Sequence, residues 1–224
     1  MKFTWLGQAG LLFDIDGYTI MIDPYLSDSV GKFNGRHRHM EIDESYLKLA
    51  PDAVVCTHNH LDHMDPETME VILKNGDYMQ VLAPWEAYLE LRKYGGKHNY
   101  IMFNPQTEVT LNDKIMVKAV KAEHSDLTAA GILIYAEDKV VYVTGDTLYN
   151  NKIFDDLPDN IDIIFLPVNG EGNNMNMCDA ARFAKKTGAK TVVPIHWGML
   201  DDLDPNDFKC NNRLIPELYK ETTI

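Results

Sequence analysis

Cysteine is scarce in this 224-residue chain, which has only Cys56, Cys178 and Cys210. They are few and irregularly spaced, so neither a disulfide framework nor a zinc ribbon is expected from them. Long apolar runs are also missing. Every hydrophobic stretch falls well short of the roughly 20 residues that a membrane helix needs, and the N-terminus has no apolar stretch of signal-peptide type. Basic charge is in deficit, with 21 Lys and Arg against 34 Asp and Glu for a formal net charge of −13. Such a field repels phosphate backbones, which counts against nucleic acid as a partner. The 14 glycines and 10 prolines are scattered rather than clustered, so no linker or low-complexity segment is marked. The default expectation is a cytoplasmic protein with a small-molecule partner and no membrane attachment. With 45% hydrophobic residues a sizeable core can be buried, and residues 1–224 are expected to form one domain.

Histidine is where the chain is rich. His58, His60, Asp62 and His63 fall within six positions as H-x-H-x-D-H. The preceding stretch 53–56 (AVVC) reads as a buried strand, and side chains two apart in an extended segment share a face, so His58 and His60 can reach one ion together. Asp62 and His63 follow a turn and can face a second ion, paired ions in hydrolases lying roughly 3.5 to 4 Å apart. Imidazole and carboxylate together suit zinc, manganese or iron. The bland alternative is a polar loop capping a helix near Asp65-Pro66-Glu67.

Further donors follow other strand-like stretches. Residues 114–122 alternate apolar and polar and lead to Glu123-His124-Ser125-Asp126. Residues 139–143 run into Thr144-Gly145-Asp146-Thr147, and residues 190–195 end at His196. Donors placed after strands are how α/β folds gather a site at one sheet edge. Strands are also expected at 2–6, 11–15 and 18–22, with Asp16-Gly17 as a hairpin turn, and at 161–166. Helices are expected at 66–74, 84–94, 177–186 and 204–219. The chain reads as two strand-rich halves ending in helices, with a break near 105–112.

The H-x-H-x-D-H array, His124, the Gly145-Asp146-Thr147 turn and Pro194-Ile195-His196, in this order, resemble the metallo-β-lactamase superfamily. That resemblance implies an α/β fold of the four-layer αββα sandwich type. It also implies two divalent metal ions (Zn or Mn, with Fe accepted by the same donors), with His58, His60 and His124 on the first, Asp62, His63 and His196 on the second, and Asp146 bridging. An aspartate rather than a cysteine at the bridging position resembles the hydrolase branches. The stretches Trp5 to Gly10, Ile22 to Ser29 and Asn169 to Met177 look like the branch that includes L-ascorbate-6-phosphate lactonase. The activity implied is that of a lactonase- or esterase-like hydrolase, in which metal-bound hydroxide attacks a small, anionic ester or lactone and Asp62 acts catalytically by orienting water or passing its proton on. A phosphodiesterase or nuclease of the same superfamily and a non-catalytic metal-binding protein are the alternatives.

Other polar residues complete the expectations. In the basic loop 32–39, Arg36 and Arg38 could reach over the metals to a carboxylate or phosphate, because guanidinium forks match those groups. Asn169 and Glu171 lie on a glycine-rich stretch after strand 161–166, so both are candidate substrate contacts. Asp23 and Asp126 could orient metal-bound histidines. His98 reads as a surface residue.

Overall fold

The computed structural model describes residues 1–76 and 78–224. An antiparallel meander opens the chain: β1 (Lys2–Gly7), β2 (Gly10–Ile15) and β3 (Tyr18–Ile22). A short helix α1 (Ser29–Asn34) follows, and then β4 (Ala53–Val55), α2 (Pro66–Asn75), β5 (Gln80–Ala83), α3 (Trp85–Leu91) and β6 (Asn99–Met102). β4, β5 and β6 add in parallel to β3. The second half repeats this plan. β7 (Glu108–Asn112), β8 (Ile115–Lys121), β9 (Ala130–Ala136) and β10 (Lys139–Val143) are antiparallel neighbours, and β11 (Ile163–Pro167), α4 (Met177–Thr187) and β12 (Thr191–Ile195) extend the sheet in parallel. A last strand, β13 (Glu221–Thr223), returns to pair with β1. The sheets have orders β13-β1-β2-β3-β4-β5-β6 and β12-β11-β10-β9-β8-β7.

The two sheets face each other across a dry core in which Phe165 meets Phe3 and Phe13 edge-on, with ring centroids 4.9 and 5.5 Å apart. Sheet residues pointing the other way are covered by helices. Met69, Ile72 and Leu73 of α2 and Ala87 and Leu91 of α3 lie over the first sheet; Ala180, Phe183 and Ala184 of α4 lie over the second. With both faces covered, β4 and β11 are buried at every position, as parallel strands between two layers must be. The αββα sandwich is therefore the observed architecture. Helix starts are locally encoded: Asp65 accepts from the Glu67 amide with Pro66 in the first turn, and Asn176 accepts from the Cys178 and Asp179 amides.

One expected helix is absent. Residues 204–219 make only a 3₁₀ turn, Pro205–Asp207, capped by Asp204, and then run extended. Val192 N donates to Asn212 O at 3.0 Å, Leu214 N to Val192 O at 2.8 Å and Tyr219 N to Trp5 O at 2.9 Å. Asn212 Nδ2 donates to Ala189 O at 2.7 Å, satisfying backbone outside any helix, and Pro216 lacks the amide a helix interior needs. The tail thereby closes the open edges beside β12 and β1. The expected break at 105–112 contains β7, and α3 continues through a 3₁₀ turn, Arg92–Tyr94, to the expected helix end. Among the described residues no helix is long and apolar enough to cross a membrane.

β8 runs in the same direction as β10, β11 and β12, because each of the pairs β8 with β9 and β9 with β10 is antiparallel. Their C-terminal ends therefore open at one edge. Removing the aromatic ring that joins the two sheets should be costly. Phe165→Ala is expected to lower unfolding free energy by about 3 to 5 kcal/mol, and urea denaturation measures it; a loss below about 1 kcal/mol would show that the sheets do not depend on this contact.

Candidate metal centre

The site is assembled from strand ends. Asp23, just after β3, has a left-handed backbone (φ 44°) that turns its carboxylate under the next strand's end. It accepts from Thr57 N at 2.7 Å, Thr57 Oγ1 at 2.5 Å and His63 Nδ1 at 2.8 Å. With Nδ1 held, His63 directs Nε2 inward, the arrangement by which a carboxylate orients a metal-binding imidazole. Gly145 (φ 61°) has no room for a side chain: a Cβ would sit 2.9 Å from Thr57 Cβ. The glycine of the Gly-Asp-Thr turn thus lets Asp146, after β10, approach the end of β4. Gln8 and His196 also adopt left-handed backbone, at φ 48° and 61°. Such conformations in non-glycine residues are held by their surroundings and concentrate at functional sites.

Two donor groups result. One is His58, His60, His124 and Asp146; the other is Asp62, His63 and His196, and within each the offered atoms lie within 4.8 Å of one another. Asp146 touches both, its Oδ1 lying 3.2 Å from His63 Nε2 and 3.4 Å from His196 Nε2. Asp62 Oδ2 stands 3.2 Å from His196 Nε2. All seven residues named as donors from the sequence are thus brought together. The buried atoms His58 Nε2 and His124 Nε2 have no hydrogen-bond partner, and His63 Nε2 and Asp146 Oδ1 make only charge contacts such as the one with each other at 3.2 Å. Buried polar groups are rarely left so, and their gathering in one focus fits a cation.

The charges compensate one another. Burial alone would lower the His63 imidazole, but Asp146, Asp62 and Asp23 outweigh it and hold its pKa well above the ordinary value. Burial likewise opposes the charge on His196, which Asp146 and Asp62 nevertheless pull up to about 9. Asp62 and Asp146, which burial would raise, are held below the usual carboxylate range by His63 and His196. On the other side, burial and the neighbouring imidazoles push His58 well down, and burial lowers His124. His58 and His124 therefore start as neutral ligands, whereas Asp62, Asp146, His63 and His196 start as an ion-paired cluster.

Three further residues hold the donors in place. Gln8 Nε2 donates to Asp62 Oδ2 at 2.8 Å and lies 3.1 Å from the His196 ring nitrogens. Asn174 Nδ2 donates to Asp146 Oδ2 at 2.9 Å, and Thr57 links Asp23 to His58. Gln8 carried a signal, being a lone amide after an apolar strand. Asn174 carried none apart from its glycine-rich stretch.

The donors open into a cavity of about 190 Å³ lined also by Arg36, Asn169 and Glu171. Arg38 does not line it. Its guanidinium donates to the Tyr25, Ser27 and Met40 carbonyls and lies over the Tyr25 ring, so its charge pins the loop instead of reaching over the centre. Asp126 reaches His124 through its backbone amide, 3.0 Å from Nδ1, while its carboxylate is taken by Thr128. His98 is half-buried against Leu73 O.

A family model for the Beta-lactamase superfamily domain matches residues 18–197. A metal-dependent hydrolase of Bacillus pumilus is 32% identical, covering 93% of this chain and 91% of its own length, and one of Bacillus thuringiensis is 29% identical over 96% and 93%. Among solved structures, a novel metallo hydrolase from Ignicoccus hospitalis superposes with a TM-score of 0.77 at 24% identity, covering 99% of this chain and 97% of that one. An isothiocyanate hydrolase from Delia radicum gut bacteria superposes with a TM-score of 0.80 at 22% identity, covering 100% and 99%.

Two outcomes follow from the charge arrangement. Because His63 and His196 hold protons at neutral pH, Mn²⁺ or Zn²⁺ uptake by metal-free protein at pH 7.5 should release roughly two protons, and affinity should climb with pH up to about 9. Calorimetry in buffers of different ionisation enthalpy measures this, and uptake without release would show the two histidines to be neutral. Asp23→Ala, which frees His63 Nδ1, should weaken metal binding about 10- to 100-fold in equilibrium dialysis; an unchanged affinity would remove Asp23 from that role.

Proposed function

This chain belongs to the metallo-β-lactamase superfamily, and from that membership we propose that it is a metal-dependent hydrolase of small anionic esters or lactones. The observation that carries the reading is the focus of buried, partnerless donor atoms at the floor of a small cavity. His58, His60 and His124 would hold one divalent cation and Asp62, His63 and His196 a second, with Asp146 between them. When bound, zinc, manganese or iron in such a pair activates water near neutral pH and polarises a carbonyl oxygen.

The chain's own residues fit a hydrolysis that uses no side-chain nucleophile. No Ser, Thr, Cys, Lys or Tyr is among the described residues lining the cavity, and burial pushes the Cys56 thiol well up and out of reach. Asp62 stays ionised. Its Oδ2 is engaged by Gln8, which leaves Oδ1 to take a proton from the attacking water and return it to the leaving oxygen. Gln8 and Asn174 fix the two carboxylates through their amide hydrogen bonds, so neither rotates as charge moves. Asn169 Oδ1 and Gln8 Oε1 are buried without partners at the cavity wall and are available to a substrate hydroxyl. Arg36 is the lining cation that selects an anionic molecule. Apart from the metal-holding residues, the lining sets Glu171 and Asp201 against this one guanidinium, a balance that disfavours a polyanionic phosphodiester backbone.

Elemental analysis combined with turnover of a panel of lactones, esters, thioesters and bis-p-nitrophenyl phosphate tests this. Metal-loaded protein should cleave the carbon–oxygen esters, and preference for the phosphodiester would overturn the reading. His60 is exposed, so His60→Ala should fold. Its kcat/KM should drop by roughly 100-fold or more, since outer partners of a metal ligand alone are worth about 10- to 100-fold. Full activity at unchanged metal content would contradict the assignment.

A further inference from the structure

Arg36 stands at the junction of two cavities. The pocket over the donors and a larger one of about 610 Å³ share Arg36, His60, Asp62, Gly172 and Leu200 in their walls. Among the described residues Arg36 is the only Lys or Arg lining either cavity. Its head is held in place, because Nε donates to Leu200 O at 2.6 Å. The guanidinium face left over meets Glu171, with Nη1 2.6 Å from Oε2.

This pair has the properties of an exchangeable contact. Side-chain exposures of 47% for Arg36 and 55% for Glu171 put it in water, where an ion pair contributes little. Its two halves are also unequally anchored. Arg36 is tied to the loop after β12, whereas Glu171 sits between Gly170 and Gly172, at φ 69° and 61°, whose backbone can re-aim without a side-chain penalty. One partner is a fixed seat and the other a movable carboxylate.

We infer that the substrate carries a carboxylate remote from the bond that is cleaved, that this group sits on Arg36, and that Glu171 is the internal carboxylate it displaces. The inference rests on the hydrolase reading for the bond and adds the second group. A planar guanidinium matches a carboxylate through paired hydrogen bonds, and Glu171 meets it through one atom pair only, Nη1 and Oε2. A phosphate dianion would bring two charges to a seat that offers a single guanidinium. The two cavities share Arg36 in their walls, so a molecule with one end at the donors and the other at the guanidinium reaches both. Hydrolysis adds water across the ester and leaves the remote carboxylate unchanged.

The test uses the full metal-loaded chain with 3- and 4-acetoxybenzoate and their neutral amides, 3- and 4-acetoxybenzamide. Wild-type protein should prefer the carboxylate of at least one pair by about tenfold or more, chiefly through KM. Arg36→Gln should remove that preference, and Glu171→Gln should raise it about threefold by vacating the seat. An equal preference in all three proteins, or none in the wild type, overturns the inference. If none of the esters is cleaved, calorimetric binding of 3- and 4-hydroxybenzoate decides. Weakening in Arg36→Gln and tightening in Glu171→Gln would uphold the carboxylate seat while overturning the ester-hydrolase reading, and unchanged binding would overturn the seat. Should Arg36→Gln fail to fold, Glu171→Gln alone carries the comparison. Inorganic phosphate competing at lower concentration than benzoate overturns the choice of carboxylate.

Discussion

Buried imidazoles and carboxylates neutralising one another at the sheet edge form the interaction on which the rest of this molecule depends. His63 and His196 face Asp146 and Asp62 at 3.2 to 3.8 Å, in a place from which most water has been removed. Taking such charges out of water is costly, and removing any single partner would leave another uncompensated. The hydrophobic sandwich makes the site possible because it orders the strand ends. The site in turn is stitched back into the fold through Asp23, Thr57, Gln8 and Asn174, none of which offers an atom toward the focus in place of a donor. Each instead fixes one that does.

The two halves of the donor set are prepared differently. Burial and neighbouring imidazoles keep His58 and His124 ready as neutral bases, while carboxylates keep protons on His63 and His196. Imidazolium thus stands in for cation on one side only. Divalent cations would relieve both conditions, accepting the unpaired nitrogens on the first side and replacing protons on the second. Activity and metal uptake are therefore linked through the same hydrogen bonds. The polar wall above, with a single guanidinium facing a glutamate between two glycines, decides what can approach.

Much of this was legible in the chain. Donor residues announced themselves because each follows an apolar strand, a pattern set by the geometry of parallel sheets, and all seven converge. The helices with a capping residue, an apolar stripe and a terminator, such as 177–187, were equally clear. The segment 204–219 misled because its local composition permits a helix, while its actual conformation is imposed by backbone hydrogen bonds to Val192 and Trp5, more than a dozen positions away. Arg38 and Arg36 could not be told apart by spacing. What separates them is which carbonyls happen to lie within reach after folding. Gln8 and Asn174 act through contacts 54 and 28 residues distant, which the lone amide after an apolar strand hints at for Gln8 and nothing local marks for Asn174.

Anomalous diffraction from crystals of protein loaded with manganese or zinc, collected on both sides of the metal's absorption edge, addresses the convergence itself. Two peaks, one among His58, His60 and His124, the other among Asp62, His63 and His196, with Asp146 between them, are the expected result. No peak within the focus, or peaks only at surface carboxylates, would contradict it.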